Sequence, residues 1–297
     1  MPEPEIIVSA EDLARLAREI LEAGGVSVRK ASLVAASLVA ANLRGVDSHG
    51  VQLLPYYVEQ LEWGDVDPLA EGHVVSENGC CLVYDGENGI GQFVADVCCE
   101  HAIRLSREHG MAMVVARESN HFGAAAFWAQ KMAEAGQIGI VMCNAAPLVP
   151  PWQGKQGRMG TNPICMALPG PWLLDMATTT VAAGKIYKAS INGQETIPAG
   201  WAMDSEGVPT TSTQEALAGL LMPLGGYKGS GLAMMAEMLC GCLSGGAMSV
   251  ELGGIRMRGR KMRVCQMFMA IDIERFMPVA EFRSRAERLV QMVKATP

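Results

Sequence analysis

Aromatic residues make up only 5% of this 297-residue chain and charged residues 19%. A core short of large rings must be filled by small and flexible side chains, and 33 glycines and 20 methionines supply them. With 49% hydrophobic residues the chain buries a substantial core and disorder is excluded. Long apolar runs are also missing, because Asn144, Pro147 and Glu237 interrupt the longest, so no segment reads as a bilayer span. There is no surplus of positive charge: the net charge is −7 without a basic patch, which argues against nucleic acid as a partner. None of the nine cysteines has C-x-x-C or zinc-ligand spacing, so no metal site is expected and they read as buried thiols. The start, Met1-Pro-Glu-Pro-Glu-Ile6, lacks the pattern of a secretory signal, so a cytoplasmic location is expected.

Two nucleotide-binding motifs are absent as well. No G-x-G-x-x-G follows an early strand, and Lys228 is followed by Gly229 where a P-loop needs Ser or Thr. Any nucleotide must therefore be held some other way.

What is present begins with two helices. Ser9 caps a run carrying Leu13, Leu16, Ile20 and Leu21, which Gly24-Gly25 ends; a second run starts near Ser27 and reaches Gly45. Beyond Trp63-Gly64 the texture changes to alternating strands and helices, with Asp85-Gly86 as a turn signal. Helices are expected over 91–109 and 122–135, and strands over 111–116 and 138–142. Residues 198–209 read as an ordered excursion with tight turns, and 267–271 as a strand before a last amphipathic helix. The basic stretch Met257 to Arg263 reads as a solvated loop.

The chemistry concentrates in a few stretches. Arg44-Gly-Val-Asp-Ser-His-Gly50, continuing to Tyr57, places the hydroxyl of Ser48 and the imidazole of His49 just past the second helix. Histidine ionises near neutral pH and suits proton transfer; the structural alternative is a surface imidazole at a helix end. His121 falls between a strand and a helix, where α/β folds commonly place ligand contacts, although a hydrogen bond to a loop carbonyl is a rival role. Asp175 ends an apolar strand and suits a ribose hydroxyl, the orientation of a catalytic group, or a helix cap. Gly225-Gly-Tyr-Lys-Gly-Ser-Gly231 puts Lys228 at a helix N-terminus, a setting that favours an anion such as pyrophosphate, the alternative being a solvated lysine.

Taken in order, seven stretches resemble the malate/L-lactate dehydrogenase family of non-Rossmann NAD(P)-dependent oxidoreductases. They are Arg44 to Gly50, Asp85-Gly86 with Gly89 to Gln92, Ser119 to Ala124, Gly160 to Pro163, Leu174 to Thr178 with Gly184-Lys185, Pro198 to Trp201, and Pro223 to Gly229. The resemblance implies an α+β fold: a non-Rossmann cofactor domain with a mixed sheet and flanking helices over 72–262. It also implies a smaller helical domain built from both chain ends, 1–71 with 263–297. By the same likeness His49 with Ser48, and His121, are the catalytic candidates, and Arg44 and Tyr57 the substrate-binding ones. Gly160, Thr161, Asn162, Asp175, Met176, Ala177, Lys185, Lys228 and Gly229 would bind the cofactor, NAD or NADP. A homodimer acting on a small 2-hydroxy or 2-oxo acid is implied. The rivals are a cyclic ketimine reductase on the same scaffold and a catalytically weak dimeric binding protein. Two departures stand out: Leu53 occupies the place of a substrate-gripping arginine in many members, and those members continue past the equivalent of Thr296. Lys185, where the ketimine branch tends to be acidic, tilts the reading toward a hydroxy acid.

Overall fold

The structure is a computed structural model and describes residues 7–297. Residues 1–6, on which the reading of the N-terminal start rests, lie outside it. Helices α1 (Ala10–Ala23) and α2 (Val28–Leu43) begin where serines satisfy first-turn amides: Ser9 Oγ accepts from Asp12 N at 3.0 Å and Ser27 Oγ from Lys30 N at 3.5 Å. Ala31, Val34, Ala35 and Leu38 form the buried face of α2, and α3 (Leu54–Glu62) follows two 3-10 turns.

The chain then builds β1 (His73–Asn78), β2 (Cys81–Asp85), α4 (Gly91–His109), β3 (Met111–Ser119), α5 (Ala125–Glu134), β4 (Gln137–Cys143), β5 (Ile164–Ala167) and β6 (Leu173–Met176). After these come α6 (Ala183–Ile191), β7 (Ala202–Met203), β8 (Pro209–Thr210), α7 (Thr213–Ala218), β9 (Leu220–Leu221), α8 (Tyr227–Glu237), β10 (Val264–Asp272) and α9 (Val279–Lys294). The main sheet has seven strands in the order β1-β2-β3-β10-β4-β5-β6. Only β2 and β3 are parallel, joined through α4; every other neighbouring pair is antiparallel. This mixed sheet has no doubly wound half, which accounts for the missing glycine fingerprint.

The central strand corrects the expected domain boundary. β10 pairs with β3 on one side and β4 on the other, so residues 264–272, expected in the helical part, lie in the middle of the sheet. Its first five residues are buried without alternation, as in a strand covered on both faces. One hydrophobic cluster runs from Ala17 and Leu38 through Phe93, Trp128 and Phe268, so α1 and α2 share a core with the sheet and its helices. A second, separate cluster lies mid-chain, around Val149, Ile186, Ala202 and Leu221, beside the small sheet β8-β7-β9. The excursion expected over 198–209 belongs there, and its tight turn is held by Asp204 Oδ1, which accepts from Glu206 N and Val208 N at 2.9 Å each.

Two smaller differences concern turns and thiols. The β1–β2 hairpin turns at Gly79-Cys80, and Asp85-Gly86 instead opens the loop into α4. Six cysteines are buried as expected, Cys80 is half-buried, and Cys81 and Cys242 are exposed. No helix among the described residues is long and apolar enough to cross a membrane.

Candidate active site

The Asp47–His49 turn is built by the end of α2. Asn42 Nδ2 donates to Asp47 Oδ1 at 3.0 Å, while Asn42 Oδ1 accepts from Val51 N at 2.9 Å, so one amide fixes both sides of the turn. Ser48 Oγ lies 3.0 Å from His49 Nδ1, leaving Nε2 as the open ring nitrogen.

His121 is held from three directions. Asn120 Nδ2 donates to the carbonyls of Asn88 (3.0 Å) and Gly89 (2.8 Å), and Gln266 Nε2 from β10 donates to Asn120 O at 3.1 Å. A Cβ on Gly91 would stand 2.2 Å from Asn120 O, so only glycine lets α4 start this close to the histidine loop. The third hold is on the ring: Tyr57 Oη is 2.7 Å from His121 Nδ1, and Gly123 N–H donates to the same nitrogen at 3.3 Å. A backbone amide can only donate, so Nδ1 accepts both bonds, Tyr57 is a donor, and the ring hydrogen sits on Nε2.

The two imidazoles, 72 positions apart in the chain, stack with centroids 5.8 Å apart and planes 22° from parallel. Burial lowers the pKa of His49, and lowers that of His121 to about 3, with the nearby charges of His49 and Arg256 acting in the same direction. Both rings are therefore neutral near pH 7. Burial also raises the pKa of the Tyr57 phenol, which keeps its proton available for His121. Behind Tyr57 and His121 is a cavity of about 30 Å³ lined in part by Gln60, Gln92 and Asn120. The other histidines stand apart from this pair; His73, for instance, pairs with Glu87 at the surface.

The stretches expected to bind a cofactor meet one another. Thr178 N–H and Oγ1–H both donate to Thr161 O at 2.9 Å, and Leu224 N–H donates to Thr178 O at 2.9 Å, which ties residues 160–162, 175–178 and 223–229 into one surface. Gly229 and Gly160 are buried within it, and Met176 and Ala177 are half-buried. Asn162 faces inward: Oδ1 accepts from Ala145 N, and Nδ2 donates to Ala233 O and to the buried Glu237, so its side chain shapes the turn. Asp175 Oδ2 accepts from Ala126 N in the first turn of α5, and burial raises its pKa while that bond and Arg44 oppose the rise. Lys185 stands in the first turn of α6 next to Gly184, whose position meets Ser48: a Cβ there would lie 2.8 Å from Ser48 Cβ. α6 thus connects the expected cofactor surface to the histidine pair.

An anionic dinucleotide fits this donor set. The N-termini of α6 and α8 have no side-chain cap, each carries an exposed lysine in its first turn (Lys185 and Lys228), and neither lysine has an acidic partner among the described residues. Uncapped amides beside a cation suit phosphate.

The structure does not bring every expected residue to the imidazoles. Arg44 is exposed, with Nη1 3.4 Å from Ala40 O, and its charge acts on Asp175. Leu53 is buried in the core. The cation whose charge reaches His121 is instead Arg256, which no sequence motif marks. Its guanidinium lies over the Tyr187 ring at 3.8 Å and the Tyr56 ring at 4.5 Å. The basic stretch beginning one residue later was a faint signal. Nothing local distinguishes Arg256 from its solvated neighbours, because both aromatic partners are remote in sequence.

Comparison with known proteins identifies the family. The malate/L-lactate dehydrogenase family pattern matches residues 8–297. Malate dehydrogenase from Pyrococcus horikoshii is 39% identical over 283 residues, 92% of this chain and 78% of that protein. L-sulfolactate dehydrogenase from Methanocaldococcus jannaschii is 34% identical over 292 residues, 97% of this chain and 84% of that protein. The structure of delta1-piperideine-2-carboxylate reductase from Pseudomonas syringae superposes with a TM-score of 0.90 at 31% identity, covering 98% of this chain and 89% of that one. With matches spanning nearly all of both the sequence and the fold, the chain belongs to the malate/L-lactate dehydrogenase family.

Proposed function

We propose that this protein is an NAD(P)-dependent oxidoreductase that interconverts a small 2-hydroxy acid and the corresponding 2-oxo acid. The observation that carries the reading is the stacked pair His49 and His121, joined through Ser48 and α6 to the uncapped helix ends that carry Lys185 and Lys228. Malate, L-sulfolactate and ureidoglycolate dehydrogenases among the relatives support the substrate class.

When bound, the nicotinamide supplies or accepts the hydride. The chain's own work is placement and proton transfer. Lys185 and Lys228 would hold the phosphates of a bound dinucleotide, and Asp175, Met176 and Ala177 would line the same site. At the substrate oxygen, His49 Nε2 takes the hydroxyl proton as the hydride leaves in oxidation and returns it from the resulting imidazolium in reduction, while the His121 N–H donates a hydrogen bond to the same oxygen. His121 presents Nε2–H as a donor because Tyr57 and Gly123 occupy Nδ1. His49 presents Nε2 beside it, with Ser48 on its other nitrogen. Neutral rings can stack this closely; two charged ones would repel.

The exposed apolar residues Phe276, Leu289, Met292 and Val293 on and before α9, which has no buried residue, support pairing with a second copy. The test is reduction of pyruvate, oxaloacetate, 2-oxoglutarate and piperideine-2-carboxylate with NADH and with NADPH, followed by absorbance. Turnover of a 2-oxo acid is expected, and His49→Asn or His121→Asn should reduce it on the order of a hundredfold or more while cofactor binding persists. Turnover of the imine alone would transfer the assignment to the piperideine-2-carboxylate reductase type, and wild-type rates in both variants would refute the proton-transfer roles.

A further inference from the structure

The family likeness does not indicate what grips the substrate's acid group in this chain, because Leu53 is buried in the core and carries no charge, and the charge of Arg44 acts on Asp175. Arg256 meets the physical requirements. Its guanidinium carbon lies over two aromatic rings, Tyr187 on α6 at 3.8 Å and Tyr56 on α3 at 4.5 Å, and it makes no ion pair or side-chain hydrogen bond among the described residues. Stacking leaves the N–H edge of a guanidinium free to donate, and the planar fork matches the two oxygens of a carboxylate.

The placement is specific. Tyr56 adjoins Tyr57, which donates to His121, and Tyr187 stands one helical turn after Gly184, which packs on Ser48 beside His49. Arg256 therefore bridges the two elements that fix the two imidazoles. Its loop is also anchored: Gln60 Nε2 on α3 donates to Ile255 O at 3.0 Å, and Gly259 N–H donates to Asp65 Oδ2 at 2.7 Å. An arginine on a tethered loop loses little freedom on binding, which is the preorganisation an anion anchor needs. The phosphate-type donors, Lys185 and Lys228, stand instead in the first turns of α6 and α8.

We propose that Arg256 is the substrate-binding residue that holds the C1 carboxylate of the 2-oxo or 2-hydroxy acid, with Tyr56 and Tyr187 as positioning residues that set its plane. This rests on the hydride-transfer reading above, so the test separates the two. Oxamate, an unreactive 2-oxo acid mimic, is titrated calorimetrically into the NADH- or NADPH-saturated full-length protein, and Arg256→Leu and Arg256→Lys are compared with wild type. In parallel, kcat/KM is measured for the best 2-oxo acid and for its neutral 2-oxo amide. Loss of a charge-assisted, two-pronged contact is expected to weaken oxamate binding and raise KM for the acid by about a hundredfold in Arg256→Leu. The amide should lose far less than the acid, about threefold at most, the NAD(P)H affinity should hold, and Arg256→Lys should recover only part of the loss for the acid. The inference is overturned if wild type binds no oxamate, if acid and amide suffer equally, or if the loss lies in cofactor affinity. A wild type that binds oxamate through Arg256 yet reduces no 2-oxo acid would instead overturn the reaction and retain the anchor.

Discussion

Replacing Tyr57 with Phe isolates one atom of the proposed machinery. The ring is buried and phenylalanine keeps its shape, so the change removes only the hydroxyl that donates to His121 Nδ1 at 2.7 Å. His121 Nδ1 would then retain only the weaker Gly123 amide bond at 3.3 Å. A buried hydrogen bond of this kind contributes about 1–2 kcal/mol, and that energy now favours the tautomer with hydrogen on Nε2. Weakening the preference by this amount should lower kcat by about 5- to 30-fold, with little change in NAD(P)H affinity, and reduce unfolding free energy in urea by about 1–2 kcal/mol. Steady-state kinetics and urea titration provide these numbers, and nitrogen-15 shifts of the imidazole report the tautomer directly. Wild-type protein with its ring hydrogen on Nδ1, or a Tyr57→Phe enzyme with undiminished kcat, would refute the reasoning.

Two further outcomes follow from the same geometry. Gly184→Ala adds a Cβ 2.8 Å from Ser48 Cβ, too close for two carbons, so α6 and the His49 turn must move apart; turnover should fall by about tenfold while the melting temperature changes little, checked by kinetics and circular dichroism. Acid stability should also depend on His121: burial holds its folded pKa near 3 against an ordinary 6.5, so between those values the unfolded chain binds a proton that the folded one refuses. Stability therefore rises with pH across that window and is lost as pH falls below 6.5, by about 2–3 kcal/mol at pH 4.5. Urea midpoints of wild type and His121→Gln at pH 4.5 and 7.5 test this, and an equal acid sensitivity in both proteins would contradict it.

The local signals in the chain were legible where the physics is local. Ser9 and Ser27 cap the helices they were expected to start, α4 spans the residues that its apolar spacing marked, and the Ser119 to Gly123 stretch lies at the expected junction of β3 and α5. Placement that depends on distant partners was not legible. The boundary at 263 failed because β10 is a short apolar run whose neighbours, β3 and β4, are set by pairing across more than a hundred residues. Arg256 is silent in the sequence for the same reason: its meaning comes from Tyr56 and Tyr187, which only the fold brings to it. Asn162 shows the converse, a motif residue whose side chain serves the turn through Ala145, Ala233 and Glu237.

The seat of β10 between β3 and β4 also bears on how the molecule is made. During synthesis, β1-β2-β3 and β4-β5-β6 emerge as two half-sheets, each with an open hydrogen-bonding edge, and neither edge is closed until residues 264–272 leave the ribosome. Such late, non-local closure slows folding and exposes sticky borders in the meantime. Polypeptides terminated before Asp272 should accordingly aggregate, whereas loss of α9 alone leaves both borders sealed.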